Sequence, residues 1–303
     1  MEDSRGDVFV RGGGDDRSPV SVFRPSLQRR STYPCSRFDR LNTAFQALYS
    51  PLTLRLIKPG ASTPPEEDTW VFIYGGSSSV GQYAVQLAKL SGYKVATVAS
   101  PRNHQLLSSL GADLIFDVRI IPLHPISAGL TLFTPFQYHD PQVVDKLKKG
   151  AREKIHFAVD TISEPNTQAT TVRVLAENKP GKVIVILRPS EEARNIRKDV
   201  DIIGTSLPRS LEIRPVLKVS LPRSPATLAP TAYGVNTDYV KTNDEERALL
   251  SAFLQNTLPG LIKTGKLKSI PTKLWDGGLD KVDEGLTYLQ SGKVSAEKVV
   301  FDL

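Results

Sequence analysis

The chain has 303 residues, 40% of them apolar and 23% charged, the composition of one large or two ordinary globular domains rather than of a disordered tail. One Cys excludes a disulfide framework or a Cys-rich zinc module, and none of the four His (His104, His124, His139, His156) has a partner at ligand spacing, so no metal is expected. Five of the seven net positive charges fall in two irregular stretches, 1–40 and 206–227, with no basic stripe, which argues against nucleic acid as a partner.

Residues 1–40, with Gly12-Gly13-Gly14 and scattered Arg and Ser, read as an irregular tail. The start, Met1-Glu2-Asp3-Ser4, has no apolar core, and no window approaches the about 18 apolar residues of a membrane span. The expectation is a cytoplasmic protein with no membrane partner. Leu41–Tyr49 reads as an amphipathic helix, followed by breaks at Pro51, Pro59-Gly60 and Pro64-Pro65. Val71–Tyr74 is a continuous apolar run of the kind found in buried parallel strands. A turn at Gly75–Ser79 leads to a helix over Val80–Leu90, a strand over Tyr93–Val98, a helix over Asn103–Leu110 and a strand over Leu114–Phe116. Ile155–Val159 and Lys182–Leu187 are further strands around a helix near Thr167–Glu177, and Val200–Ile203 adds another. Helices over Asp244–Ile262 and Gly278–Gln290 and a strand over Lys298–Phe301 complete the chain.

Strand alternating with helix across short joins predicts an α/β fold, an open, doubly wound parallel sheet covering about Trp70 to Gly204. Two stretches interrupt it, 120–139 without a charged residue and 206–227 with four Pro. Both resemble translated non-coding sequence more than evolved loops and are expected outside the core.

The strongest chemical signal is Val71 to Leu90. A strand that turns tightly into a helix N-terminus presents free N–H groups and the positive end of a dipole to an anion such as a pyrophosphate. Gly75-x-x-Ser78-x-x-Gly81 stands in place of the usual G-x-G-x-x-G, with Ser78 offering a hydroxyl; taken alone, the loop could equally be a turn with an N-cap. After the second strand, Ser100-Pro101-Arg102-Asn103 carries one cation and no acid, which favours a 2′-phosphate over a bare ribose and so NADPH over NADH. Ser100 and Asn103 can also cap the helix that follows. Cys35 has no neighbouring base, His156 suits a packed core, and Asp160-Thr161 at a strand end suits either ligand contact or a turn cap. Tyr49 and Tyr74 are proton donors by residue type only, and the catalytic acid is unknown.

Tyr74-Gly75-Gly76-Ser77-Ser78-Ser79-Val80-Gly81, Ser100–Asn103, Gly111-Ala112-Asp113 with Phe116-Asp117, and Phe157–Ser163 resemble the cofactor domain of medium-chain dehydrogenase/reductases. Leu258-Pro259-Gly260-Leu261, Lys273-Leu274-Trp275, Gly277-Gly278-Leu279 and Gly292–Lys298 are similar to the zinc-free fungal branch, the trans-acting enoyl reductases of polyketide and toxin clusters. The resemblance covers 41–119, 140–205 and 228–303, with Val118 where the family often has Tyr. It implies a Rossmann-type sheet in which Ser77, Ser78, Ser79 and Val80 cradle the pyrophosphate and Ser100, Arg102 and Asn103 hold the adenosine phosphate. Leu187 would lie near the nicotinamide, Val294 and Ser295 would close over the cofactor, and Asn42, Thr43 and Ala44 would begin the substrate cleft. The family carries a catalytic β-barrel before the helix matching Leu41–Tyr49, so an N-terminally truncated chain is expected. Its parts would be 1–66 (tail and remnant of that domain), 67–240 (dinucleotide binding) and 241–303, whose last strand returns to the remnant. The implied function is NADPH-dependent reduction of an activated C=C bond on an acyl thioester carried by a polyketide synthase, by a monomer or weak dimer. A quinone or enone reductase and a non-catalytic NADP-binding remnant are the alternatives.

Overall fold

Five residues buried without interruption make β1 (Trp70–Tyr74) a central strand. The computed structural model describes residues 35–117, 142–205, 239–240 and 244–301. In it β1 pairs in parallel with β2 (Lys94–Val98) on one side and β4 (Ile155–Asp160) on the other. Val71 faces Val95, and Tyr74 lies between Val98 and Asp160. Beyond β2 lies β3 (Leu114–Phe116), and beyond β4 lie β5 (Gly181–Val185), β6 (Val200–Thr205) and β7 (Tyr239–Val240). The order β3-β2-β1-β4-β5-β6-β7 is parallel throughout, as a doubly wound sheet requires. The strand order reverses between β1 and β4, which opens a crevice at their carboxyl ends.

The helices α2 (Ser79–Leu90), α3 (His104–Ser109), α4 (Val143–Gly150), α5 (Pro165–Val174) and α6 (Glu191–Ile196) connect successive strands from β1 to β6. Side chains alternate along β1, so each face of the sheet builds its own core. Val71 and Ile73 join Val85, Leu87 and Leu107 on one face, whereas Phe72 and Tyr74 join Leu147, Val172 and Val183 on the other. The first face is completed by α1 (Cys35–Tyr49). The Tyr49 hydroxyl donates to the Leu87 carbonyl (2.8 Å) and lies 2.7 Å from Ser91 Oγ, tying the ends of α1 and α2.

Several boundaries differ from those read in the sequence. The first helix starts at Cys35, inside the stretch taken as tail, because Phe38, Leu41, Phe45 and Leu48 continue one apolar spacing. The helix expected over Asp244–Ile262 is α7 (Asp244–Ala252), a wide π turn over Phe253–Thr257, then α8 (Leu258–Lys263). Pro259 has no N–H to bond four residues back, and the wide turn absorbs that loss. β5 ends at Val185, not Leu187, because the Ile186 N–H is taken by Ser163 Oγ at 2.8 Å. α5 ends at Val174 because Leu175 turns extended and the Ala176 N–H bonds the Ile155 carbonyl. The short helices α4 and α6 were not anticipated. The irregular stretches 120–139 and 206–227, residues 1–34 and Val118 lie outside the described residues.

The last strand, β9 (Lys298–Phe301), pairs with β8 (Thr272–Trp275) in a separate two-stranded parallel sheet. A tight turn over Gly278–Lys281 and α9 (Val282–Gln290) connect them. No helix among the described residues is long and apolar enough to cross a membrane.

The rings of Phe45 and Phe253 stack at 4.2 Å and join α1 to the wide turn before α8. Phe45→Ala is expected to cost about 3–5 kcal/mol in denaturant unfolding. A loss below about 1 kcal/mol would show that this stack does not hold α1 in place.

Candidate functional site

Three turns at the carboxyl ends of β1, β2 and β4 line the crevice, and close packing determines the first of them. Gly75 has a positive φ of 75°, and a Cβ there would lie 2.8 Å from Ile162. A Cβ on Gly81 would lie 2.3 Å from the Gly75 carbonyl oxygen. Only two hydrogen atoms let the helix start so near the strand end. Ser78 is the N-cap of α2, its Oγ accepting from the Gly81 N–H at 2.9 Å. Thr161 Oγ1 lies 2.8 Å and 3.0 Å from the Tyr74 and Gly75 carbonyls and 2.8 Å from Ser78 Oγ. Because carbonyls only accept, Thr161 donates to them and receives the Ser78 proton. The Ser78 hydroxyl, read from the sequence as an anion donor, is therefore committed to the fold. The first-turn N–H groups around Ser77, Ser79 and Val80 remain the anion-directed part.

The turn after β2 is a separate 3-10 turn, Pro101–Asn103, and α3 begins only at His104. Ser100 and Asn103 make no side-chain cap bond, so the capping alternative is not what these residues do. Arg102 is exposed, whereas Asn103 is 6% exposed. Asn103 Nδ2 donates to Ser295 Oγ at 2.9 Å and lies 3.3 Å from Ser100 Oγ. Three of the anticipated residues, far apart in sequence, thus meet at one point.

Asp160 is fully buried at the end of β4 and caps the turn that follows. Its Oδ1 accepts from the Ile162 and Ser163 N–H groups at 2.9 Å and 2.8 Å, and its Oδ2 accepts from Thr167 Oγ1 at 2.7 Å. Gln168 Nε2 donates to the Ser163 and Arg188 carbonyls, both at 2.9 Å, and its Oε1 accepts from Ser190 N at 2.8 Å. The β4 and β5 turns are thereby fixed to each other. Leu187 sits on the second of them, 53% exposed.

Asn42, Thr43 and Ala44 are buried on α1. Asn42 Oδ1 and both amide atoms of Gln46, one helical turn on, have no hydrogen-bond partner among the described residues. Tyr49 is a poor proton donor, since burial pushes its phenol well above the ordinary range and its hydroxyl is engaged by Leu87 and Ser91. Burial, aided by Lys179 and Arg197, lowers the His156 imidazole. Among the described residues no group of three His, Cys, Asp or Glu could hold a metal ion. Sequence reasoning quoted Gly76 and Ser163 within motifs without giving them a role, and missed Gln82 and Gln168. A buried Gln within an otherwise apolar helix face was the available signal for two of these.

A dinucleotide suits this crevice. The Gly75–Gly81 turn leaves no room for a Cβ and brings the start of a helix to the crevice, and the β2 turn carries an exposed cation without an acid.

No family model matches the chain. It is 30% identical over 260 residues to a zinc-type alcohol dehydrogenase-like protein of Schizosaccharomyces pombe, a match covering 85% of the chain and 62% of the relative. It is 28% identical over 239 residues to trans-enoyl reductase FSL5 of Gibberella zeae (78% and 55%). The match to lovC of Aspergillus terreus, the enoyl reductase component of lovastatin nonaketide synthase, is 26% identical over 258 residues (83% and 59%). The chain thus spans about three fifths of the length of these relatives. Among solved structures, the CurK enoyl reductase aligns with a TM-score of 0.55 at 18% identity, over 93% of this chain and 66% of that one, and shows the same fold. The resemblance read from the sequence is borne out by these relatives.

Burial pushes the Asp160 carboxyl from 3.8 up to about 6, and Glu164 adds repulsion, against the bonds from Ser163, Thr167 and Ile162 that favour the anion. The native state therefore binds this proton more tightly than the unfolded chain. That contribution to stability is complete below about 3.8 and is lost as pH rises through about 6. Asp160→Asn should flatten the stability–pH curve between these values by on the order of 2–3 kcal/mol. Parallel curves for the two proteins, from denaturant titrations across that window, would show that Asp160 is not the group concerned.

Proposed function

We propose that this relative of the fungal trans-enoyl reductases of the medium-chain dehydrogenase/reductase superfamily is an NADPH-dependent reductase of activated C=C bonds. The observation that carries the cofactor choice is the β2 turn, where exposed Arg102 stands beside half-buried Ser100 and no carboxylate competes for a ribose. N–H groups at Ser77, Ser79 and Val80 hold the pyrophosphate while Ser78, its N–H bonded to the Gly75 carbonyl at 2.9 Å, shapes the turn, and Ser100 and Arg102, with Asn103 behind them, hold the 2′-phosphate. Leu187 offers an apolar surface near the nicotinamide, and Val294 and Ser295 close the cleft from the C-terminal side. When bound, the cofactor supplies a hydride. Asn42, Thr43 and Ala44 border the substrate, and the Asn42 amide is placed to orient a polar group there.

The substrate class is an α,β-unsaturated acyl thioester carried by a polyketide synthase, the partner to which the family resemblance and the name of the lovC relative both point. Conjugation with the carbonyl makes the β-carbon electrophilic, and the site must stabilise the negative charge that gathers on the oxygen. On this reading 67–240 bind the dinucleotide, 1–66 are the tail and remnant of the catalytic domain, and 241–303 add the C-terminal helices and strand, with Val294 and Ser295 towards the cofactor. Titration of NADPH fluorescence, followed by addition of a crotonyl thioester and then a quinone, tests it. Oxidation of NADPH by the thioester supports the enoyl reductase, oxidation by the quinone alone favours the quinone reductase, and binding without turnover favours a binding remnant.

Loss of a charge-assisted phosphate contact lowers affinity about 10- to 150-fold. Arg102→Ala should weaken NADPH by such a factor and leave NADH nearly unchanged, and Ser100→Asp should weaken NADPH further by setting a carboxylate against the phosphate. Equal Kd changes for both dinucleotides would show that Arg102 does not read the 2′ position.

A further inference from the structure

We propose that Gln82 and Asn103 are positioning residues that hold residues 294–296 as a strap across the β1 and β2 turns, so that dinucleotide affinity depends on two amides that do not touch the dinucleotide. The inference rests on the nucleotide reading of the crevice. Gln82 is 1% exposed on α2, and its Nε2 donates one proton to the Ser77 carbonyl at 3.1 Å and the other to the Ala296 carbonyl at 3.0 Å. One buried NH2 group thus joins the anion-facing turn to a residue 214 positions away. Ala296 adopts φ of +56°, a conformation that costs a non-glycine residue energy and turns its carbonyl towards that donor. The second clasp is at the other turn, where Ser295 Oγ lies 2.9 Å from Asn103 Nδ2 and 3.2 Å from Asn103 Oδ1.

One turn further along α2, Gln86 bonds both backbone groups of Lys268, accepting from its N–H at 2.7 Å and donating to its carbonyl at 3.1 Å. Gln82 and Gln86 share a helix face at i and i+4, so α2 grips the C-terminal region at two levels. At the upper level it reaches residues that are only half-buried and lie next to exposed Lys293. Both amides are spent on protein partners and withdrawn from solvent. Their effect on a ligand is indirect, through where they hold Ser77 at the pyrophosphate turn and Ser295 on the strap, neither of which reads the 2′ position. An indirect effect of this kind cannot distinguish NADPH from NADH, whereas a phosphate contact must.

The test uses the full chain, with trypsin cleavage after Lys293 followed by mass spectrometry of the released peptide 294–303, and dinucleotide Kd values from fluorescence. In wild type, saturating NADPH should slow this cleavage about tenfold. Ser295→Ala should speed it without ligand and weaken NADPH and NADH by the same factor, about 3- to 10-fold, the value of one hydrogen bond. Ser295→Thr, which keeps the hydroxyl, should restore both readouts. Gln82→Met, of similar shape, should behave like Ser295→Ala, with folding checked by circular dichroism. Cleavage indifferent to bound dinucleotide, or Ser295→Ala weakening NADPH alone, would overturn the strap. If folded wild type binds neither dinucleotide, the nucleotide reading itself fails and takes the coupling with it; the ligand-free cleavage rates of the variants tell that failure from the first.

Discussion

The approach of the α2 N-terminus to the end of β1 is the constraint on which the rest depends. The Gly75 carbonyl oxygen occupies the place where a Cβ of Gly81 would stand. Two backbones at that distance leave no room for side chains, and the gap is held by hydrogen bonds instead: Ser78 to Gly81, and Thr161 to the Tyr74 and Gly75 carbonyls. The arrangement sets the start of α2 at the crevice between β1 and β4, where the strand order reverses. Neighbouring turns then adjust to the first one. Gly76 is bare because Thr97 of β2 crosses behind it, with the Thr97 hydroxyl bonded to the Ile73 carbonyl at 2.6 Å.

Buried polar side chains carry this arrangement outwards. Asp160, Ser163 and Gln168 join the β4 and β5 turns, and Gln82, Gln86 and Asn103 join α2 and the β2 turn to the C-terminal region. Each such group would be costly in the core without partners, and each is satisfied by backbone or side-chain atoms of another element. The apolar layers on the two faces of the sheet supply cohesion but little directional information, since hydrophobic contact has none. The relative placement of the turns therefore rests on the polar cross-links, and these turns are the ones that face the crevice.

The unsatisfied groups stand apart from this pattern. Asn42 and Gln46 lie on the same face of α1, buried, with Asn42 Oδ1 and both ends of the Gln46 amide lacking partners among the described residues. The buried amides of Gln82, Gln86, Asn103 and Gln168, by contrast, are all paired. The matched region spans only 62%, 55% and 59% of the three relatives named above.

The order of strands from Trp70 to Thr205, with α2, α3 and α5 between them, was legible in the sequence because buried parallel strands are apolar runs and the turn after β1 carries Gly. The Gly75–Gly81 turn and the acid-free Ser100–Asn103 turn were legible for the same local reason, since a strand end, a turn and a helix start lie within a dozen residues. Element ends were not, where a distant group intervened: β5 stops at Val185 because Ser163 captures the next N–H. Nor could local pattern show that the Ser78 hydroxyl is spent on Thr161, 83 residues away, or that Asn103 turns to Ser295 across 192 residues. Periodicity and turn chemistry are short-range properties of the chain and determined the sheet and the place of the crevice. The partner of each buried polar group is chosen by contacts between residues far apart in sequence, and only the tertiary structure decided those.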